Sequence, residues 1–538
     1  LMVDGIGYTS NAVGLAEAFD PGTGETVWVQ EPMDLGPQAY RGAETRGVAY
    51  WTDGRDQRIL VQRGQYLIAL NAKSGQPYPD FGEGGRVNLA DGLGEGARYR
   101  WTGAPLVVGD VVVLGQSMGD TFTTKEAVRG DVRAFDVRTG QLRWVFHTVP
   151  QAGEFGTDTW EDESWEYTGH APVWAPMSAD PELGYVYLPV TSPTSDMYGG
   201  HRGGDNLYGQ SLVCVDAVTG ERVWHYQLVH HGLWDYDLPT PPILMDVAVE
   251  GRPGITKMVV QLTKQAFAFA FDRVTGEPVW PIEERPVPQS STPSERTSPT
   301  QPFPTKPPAF DRQGATVDNL IDFTPELREE ALEIVSRYTM GPMFTPPSLI
   351  GTGPGDTRGT IELPGYTGGA NWNGAAFDPQ TGLLYVPSAT QPIIPALVEL
   401  GPDRSNLLYS RGRMRPPGGP DGLPLFKGPY GRITAIDLNR GDIAWQRANG
   451  IGSPAIRDHE RLRGVDLPLL GSGRDFLLLT RTLLLSGQQT PGADGAWVLA
   501  ARDKATGELL AEIPLPGRAI GAPMSYEAGG RQFIALTV

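Results

Sequence analysis

The chain has 538 residues with a formal net charge of −19, from 63 acidic against 44 basic side chains. That balance argues against a nucleic-acid partner, because phosphate-backbone affinity comes from clustered Lys and Arg. A single cysteine, Cys214, leaves no internal disulfide and no cysteine-based zinc or iron–sulfur cluster, and the lack of C-x-x-C-H leaves no attached c-type haem in these residues.

The chain opens on LMVDGIGYTS, which is strand-like and lacks an initiator, so a leader is expected to have preceded it. No apolar run approaches the roughly 18 to 20 residues that span a bilayer, and no transmembrane segment is expected here. High Gly and Pro (69 and 48) with only 20% charged residues indicate a turn-rich globular chain. From the first strands onward one pattern recurs: a small residue, any residue, Asp or Asn, two residues, Thr or Ser, Gly, three residues and often Trp. It reads AFDPGTGETVW (18–28), ALNAKSGQPYP (69–79), AFDVRTGQLRW (134–144), CVDAVTGERVW (214–224), AFDRVTGEPVW (270–280), AIDLNRGDIAW (435–445) and ARDKATGELLA (501–511). Each copy follows an apolar run that reads as a strand, such as ILVQRGQYLIAL or KMVVQLTKQAFAFAF. The Asp-x-x-Thr-Gly segment then reads as a tight hairpin, with Gly supplying positive φ and the Asp and Thr oxygens capping backbone amides.

Most intervals between copies fit one four-stranded sheet with its loops. The 165-residue interval between Asp272 and Asp437 is expected to hide a further unit plus an insertion. The expected fold is therefore all-β, an eight-bladed β-propeller forming one domain over residues 1–538. Within the long interval, RPVPQSSTPSERTSPTQPFPTKPP (285–308) is a Pro/Ser/Thr tract. It is followed by a short helix predicted from Thr324 as N-cap, Pro325 at the first helical position and acidic residues in the first turn. The insertion, over 285–345, either covers a site on one propeller face or is a solvated excursion.

The stretch HHGLWDYDLP (230–239) sets His230, His231, Asp235 and Asp237 within eight positions of otherwise apolar sequence. Zinc is the first reading and a weak one, with no Cys partner and no His-x-x-x-His spacing. Lys264 in QLTKQAF is an isolated charge in an apolar strand, where a snorkelling stem is the plain alternative. Trp174 in HAPVWAPMSAD reads by itself as a blade-packing ring, and a single Asp such as Asp120 as a turn residue.

The repeats, HHGLWDYDLPTPP, SPTQPF, FTPPS, ANWNGAAFDP and the terminal GAPMSYEAGGRQFIAL together resemble the quinoprotein alcohol and sugar dehydrogenases nearly end to end. These are eight-bladed propellers that use pyrroloquinoline quinone (PQQ) and a divalent metal, and the similarity is greatest to the membrane glucose dehydrogenase branch. PQQ is a flat ortho-quinone with three carboxylates. The resemblance implies Trp174 as its stacking floor, Arg46 in TRGVAYW as a carboxylate partner and Lys264 as the cation on the quinone oxygens. It implies Thr102, Asn371 and Trp372 as further cofactor contacts. Asp235 is implied as both metal ligand and base, with Asp120 and Thr194 completing the metal set; Thr121 or Glu126 are candidates to share that duty, because the loop is one residue longer here. Ca²⁺ is the metal expected, and a lanthanide is the alternative raised by Asp237, two residues after the base.

Departures from the pattern argue against glucose itself. Gly42, near Arg41 and Glu44, stands where the glucose branch has a histidine, and Pro387 falls on a family asparagine. The adjacent cysteines of methanol dehydrogenases are absent. The expected reaction is oxidation of an alcohol, at a secondary or cyclic hydroxyl or on a sugar, to a carbonyl. Electrons would pass to an external acceptor, cytochrome c or a quinone, in the periplasm or after secretion. A non-catalytic scaffold propeller is the alternative, sharing the repeats but having no need of Trp174, Asp235 and Lys264; a propeller glycosidase would need paired carboxylates and no lysine.

Overall fold

The repeated turn explains the architecture. In every copy from Asp20 to Asp503 the Asp or Asn side chain accepts from amides two or three residues on, as Asp136 does from Arg138 (2.9 Å) and Thr139 (2.8 Å). The turn glycines take left-handed φ, from 70° at Gly75 to 78° at Gly276. The Trp that follows crosses to the next sheet: Trp28 Nε1 donates to Ala72 O, Trp144 to Ala217 O, Trp224 to Arg273 O and Trp445 to Lys504 O. A Cβ built on Gly75, Gly220, Gly276 or Gly507 would lie 2.5 to 2.8 Å from the preceding sheet's Trp. Gly and Trp therefore recur together because one ring packs flat on the other sheet's turn.

The computed structural model describes residues 1–11, 13–36, 46–94, 98–119, 123–351, 356–489 and 496–538. Antiparallel sheets run in chain order from Met2–Val3 to Thr26–Val29, Ala49–Thr52 to Arg86–Asn88, Leu106–Val108 to Leu142–Phe146 and Ser178–Asp180 to Arg222–Gln227. They continue from Ile243–Val247 to Ala268–Asp272, Ala376–Asp378 to Asp442–Ala448 and Leu477–Leu479 to Leu509–Leu515. Among the described residues this is a propeller of seven blades, which corrects the eight expected. Each of the seven sheets carries one copy of the turn, and the described residues of the long interval hold no further unit. Trp280 of the fifth blade lies directly on Gly441 of the sixth, where a built Cβ would be 2.8 Å from the ring, so no sheet stands between them. After the seventh blade a two-stranded ribbon, Met524–Ala528 with Arg531–Ala535, reaches the first blade through Tyr526 Oη donating to Pro21 O (3.0 Å).

Blade interiors are covered on both faces, so their strands read as continuous rather than alternating apolar runs: Ile59, Leu60 and Val61 are all fully buried. The residues between the fifth and sixth blades form a hairpin, Ile282–Pro286 with Thr300–Pro304, and the helix Pro325–Val335, capped by Thr324 Oγ1 accepting from Leu327 N (3.3 Å). A second excursion, unsignalled by the repeats, leaves the sixth blade at residues 390–430. It packs Leu423 and Phe426 against Leu327, Ala331 and Val335 of the helix.

The Trp docking is testable. Gly220→Ala places a side chain at φ 74° and 2.6 Å from Trp144, so it should destabilise by about 2–5 kcal/mol, combining the left-handed and overpacking costs. Gly109→Ala, at φ 55° with open space around it, should cost only about 1–2 kcal/mol. Urea unfolding of both variants measures the difference, which is the part due to the ring.

Candidate active site

Antiparallel pairing puts the start of a blade's first strand beside the end of its second. In the fifth blade Ile243 pairs with Val260, so the segment carrying Asp235 and Asp237 and the residue Lys264 emerge at one end. In the fourth blade Ser178 pairs with Tyr187, which brings Trp174 and Thr194 to one end in the same way. Arg46, Thr102 and Asn371–Trp372 also sit in the segments entering the second, third and sixth blades. The scattered motifs thus converge because each occupies an equivalent place in its blade.

At the centre, Lys264 Nζ donates to Asp235 Oδ1 (2.8 Å) and Asp237 Oδ2 (2.9 Å), and all three side chains are at least nine-tenths buried. Asp237 also accepts from Trp174 Nε1 (3.0 Å), Ser192 N (3.1 Å) and Ser192 Oγ (3.3 Å). Asp235 takes φ 51°, uncommon for a non-glycine residue. Burial opposes charge on Lys264, but the carboxylates of Asp235 and Asp237 outweigh it and hold the pKa above the ordinary lysine value. Burial likewise opposes charge on Asp237, and Lys264 with Trp174 reverses that, leaving the carboxyl below its usual range.

Lys264 Nζ stands 5.9 Å from the ring centres of Trp174 and Tyr366. The Arg46 guanidinium lies 4.3 Å from the Trp372 ring and 5.7 Å from that of Trp174. Arg46 N donates to Thr102 O (3.2 Å), which joins Thr102 to the group through its backbone. The Asn371 side chain caps locally, with Oδ1 accepting from Trp372 N (2.9 Å). Thr194 is fully buried and its hydroxyl has no hydrogen-bond partner among the described residues. Asp120, Thr121, Arg41, Gly42 and Glu44 lie outside the described residues. Glu126 is bonded to Asn406 Nδ2 (2.7 Å) at an exposed position. Pro387 lies within a sixth-blade strand, opposite Ile433.

No cluster of three or more His, Cys, Asp or Glu side chains able to hold a metal occurs among the described residues. The histidines that first suggest zinc are engaged elsewhere: His230 with Glu284 (3.1 Å) and His231 with Glu295 (2.7 Å). Sequence reasoning missed Ser192, Tyr366 and Glu362. Burial and then the nearby Asp235 charge push the Glu362 carboxyl well above the usual carboxylate range. None of these three falls in the repeat; Ser192, beside Thr194 in TSPTSD, had its neighbour as the one available signal.

The family described as "PQQ: Glucose/ethanol/alcohol dehydrogenase, beta-propeller domain" matches residues 1–534. Quinoprotein glucose dehydrogenase A of Acinetobacter calcoaceticus is 28% identical, over 96% of this chain and 68% of the relative. The glycerol dehydrogenase large subunit of Gluconobacter oxydans is 30% identical, over 99% and 74%. The crystal structure of quinohemoprotein alcohol dehydrogenase from Comamonas testosteroni superposes with a TM-score of 0.66 at 25% identity, covering 99% of this chain and 69% of that one. No described helix is long and apolar enough to cross a membrane. With the family matched over residues 1–534 and a relative 30% identical over nearly the whole chain, the chain belongs to the PQQ-dependent glucose, ethanol and alcohol dehydrogenases and is an oxidoreductase of alcohols or sugars.

Proposed function

We propose that this dehydrogenase oxidises a secondary or cyclic hydroxyl, with Asp235 as the base that receives the hydroxyl proton on its carboxylate. The observation that carries this reading is Lys264 Nζ bonded to both Asp235 and Asp237 beside the Trp174 ring. Bound PQQ supplies the two-electron acceptor. Trp174, only partly buried, offers an indole face to a flat ring system, and Arg46 offers a guanidinium to a carboxylate. Lys264 presents a fixed positive charge where negative charge develops. Thr102, Asn371 and Trp372 complete the rim on this reading.

For the metal, Asp120, Thr194 and Asp235 are the residues that would hold Ca²⁺, and the buried, unbonded Thr194 hydroxyl fits a hard oxygen ligand. Asp237 would be the additional ligand for a lanthanide. Its carboxylate already accepts from Trp174, Ser192 and Lys264, which favours Ca²⁺ and gives Asp237 the part of orienting the ring and the ammonium. The relatives named for glucose and glycerol support substrates with ring or secondary hydroxyls. A separate cytochrome c or quinone is the proposed electron acceptor, and the periplasm or the exterior the proposed location.

Reconstitution tests the substrate class. Apo-protein loaded with PQQ and Ca²⁺ should reduce dye with the highest kcat/KM on cyclic polyols and secondary alcohols. A preference for simple primary alcohols would overturn the substrate assignment, and no PQQ-dependent turnover on any alcohol or sugar would overturn the site reading.

A further inference from the structure

The loop bearing Thr194 and the segment bearing Asp235 are both irregular, so something other than sheet pairing must fix them. Two buried groups do so. Arg202, with no exposed surface, donates through Nε to Thr194 O (2.9 Å) and through Nη2 to Ser195 O (2.9 Å) and Gly232 O (2.7 Å). One guanidinium thereby ties the two segments through three backbone carbonyls. Glu295, from the hairpin between the fifth and sixth blades, closes the other side. Its Oε2 accepts from Gly199 N (2.6 Å), and its Oε1 lies 2.7 Å from His231 Nε2, with both side chains 2% exposed. His231 Nδ1 lies 2.8 Å from Gly204 O. Both ring nitrogens of His231 therefore face acceptors, which fixes the ring on two sides four residues before Asp235.

The fit leaves little slack. A Cβ at Gly199 would lie 2.7 Å from His231 Nε2, and one at Gly232 would overlap the Gln210 amide. A buried carboxylate with defined partners, supplied by an insertion that forms no part of any blade, is costly to place without compensation.

We infer that Glu295 is a positioning residue, which through His231 and Gly199 holds the Thr194 loop and the Asp235 segment in the arrangement the loaded centre requires. This rests on the reading of Asp235 as base and of Thr194 and Asp235 as metal ligands. Partners that orient ligands in this indirect way typically contribute about 10- to 100-fold in metal affinity or activity.

The test uses the full chain reconstituted with PQQ, titrated with Ca²⁺ and read by the Ca²⁺-dependent rise in unfolding temperature alongside dye reduction. Glu295→Gln is expected to lose about 10- to 100-fold in apparent Ca²⁺ affinity and in kcat, with KM changed less than about threefold. Glu295→Asp, which keeps the charge but shortens the reach, should fall between. Glu284→Gln alters the exposed His230 contact on the same hairpin and should leave Ca²⁺ affinity, kcat and KM unchanged. Wild-type Ca²⁺ affinity and kcat in Glu295→Gln, with only a lower unfolding temperature, would overturn the inference. If Glu295→Gln does not fold, wild-type values in Glu295→Asp overturn it equally. Asp235→Asn measured in parallel separates the two readings: its inactivity beside a normal Glu295→Gln refutes the positioning role alone, whereas its retained turnover refutes the base and leaves Glu295 judged on Ca²⁺ affinity.

Discussion

Asp235→Asn is expected to lower kcat by on the order of 10³-fold, equivalent to about 4 kcal/mol of transition-state stabilisation. The substitution keeps the shape of the side chain and its capacity to accept from Lys264 Nζ, now 2.8 Å from Asp235 Oδ1. It removes the one property that a base requires, a carboxylate able to hold a proton taken from the substrate hydroxyl. Asp237 continues to pair with Lys264, so the ammonium keeps one anionic partner and the fold should lose much less than the reaction does. Binding of PQQ, followed by quenching of tryptophan fluorescence, should survive, because Trp174 is held by Asp237 (3.0 Å) and the Arg46 guanidinium lies against the Trp372 and Trp174 rings. Single-turnover kinetics with saturating alcohol check the prediction. Retained turnover would refute Asp235 as the base, while loss of PQQ binding together with turnover would show that it acts by holding the centre together.

Much of the fold was legible because the repeat has a local cause. An Asp that caps its own turn, a Gly at left-handed φ and a Trp two positions into the next strand are each decided within eleven residues, so the sequence displays them. The blade count was not legible, because it depends on what a 165-residue interval does, and length alone does not distinguish another sheet from a pair of excursions. The contact of Trp280 with Gly441 decides it, and that contact spans the whole interval. The site followed the same division. Trp174, Asp235, Lys264 and Arg46 lie in motifs and come near one another in the fold, whereas Tyr366, Glu362 and Glu295 come from irregular segments whose positions depend on packing between excursions. The histidines of HHGLWDYDLP show how composition misleads: His231 looks like a metal ligand until its ring nitrogens are found facing Glu295 and Gly204.

Lys264→Met should cost both stability and rate, by different routes. Methionine approximates the alkyl stem but leaves Asp235 and Asp237 buried side by side without a cation. Breaking a buried pair in this way typically destabilises by about 3–5 kcal/mol. In the native protein the Lys264 pKa is raised, so its contribution is fully present below the ordinary lysine value of about 10.4 and fades as pH rises through the folded value. The Asp237 pKa is depressed, so its contribution is present above about 3.9 and fades as pH falls through the folded value. The window between those limits includes neutral pH, where the deficit of the variant should be largest. In Lys264→Met the two carboxylates repel and share a desolvated site, so the folded state takes up a proton more readily than the unfolded chain and gains stability on acidification. The stability gap should therefore narrow between pH 7 and pH 5, as urea unfolding at several pH values would measure. The kinetic loss should not narrow with it. A neutral carboxyl restores packing but neither a base nor a fixed positive charge where the reduced acceptor gathers negative charge. A variant whose kcat recovered in step with its stability would identify Lys264 as a structural counter-ion, and one that regained stability at pH 5 while staying slow would identify it as part of the catalytic centre.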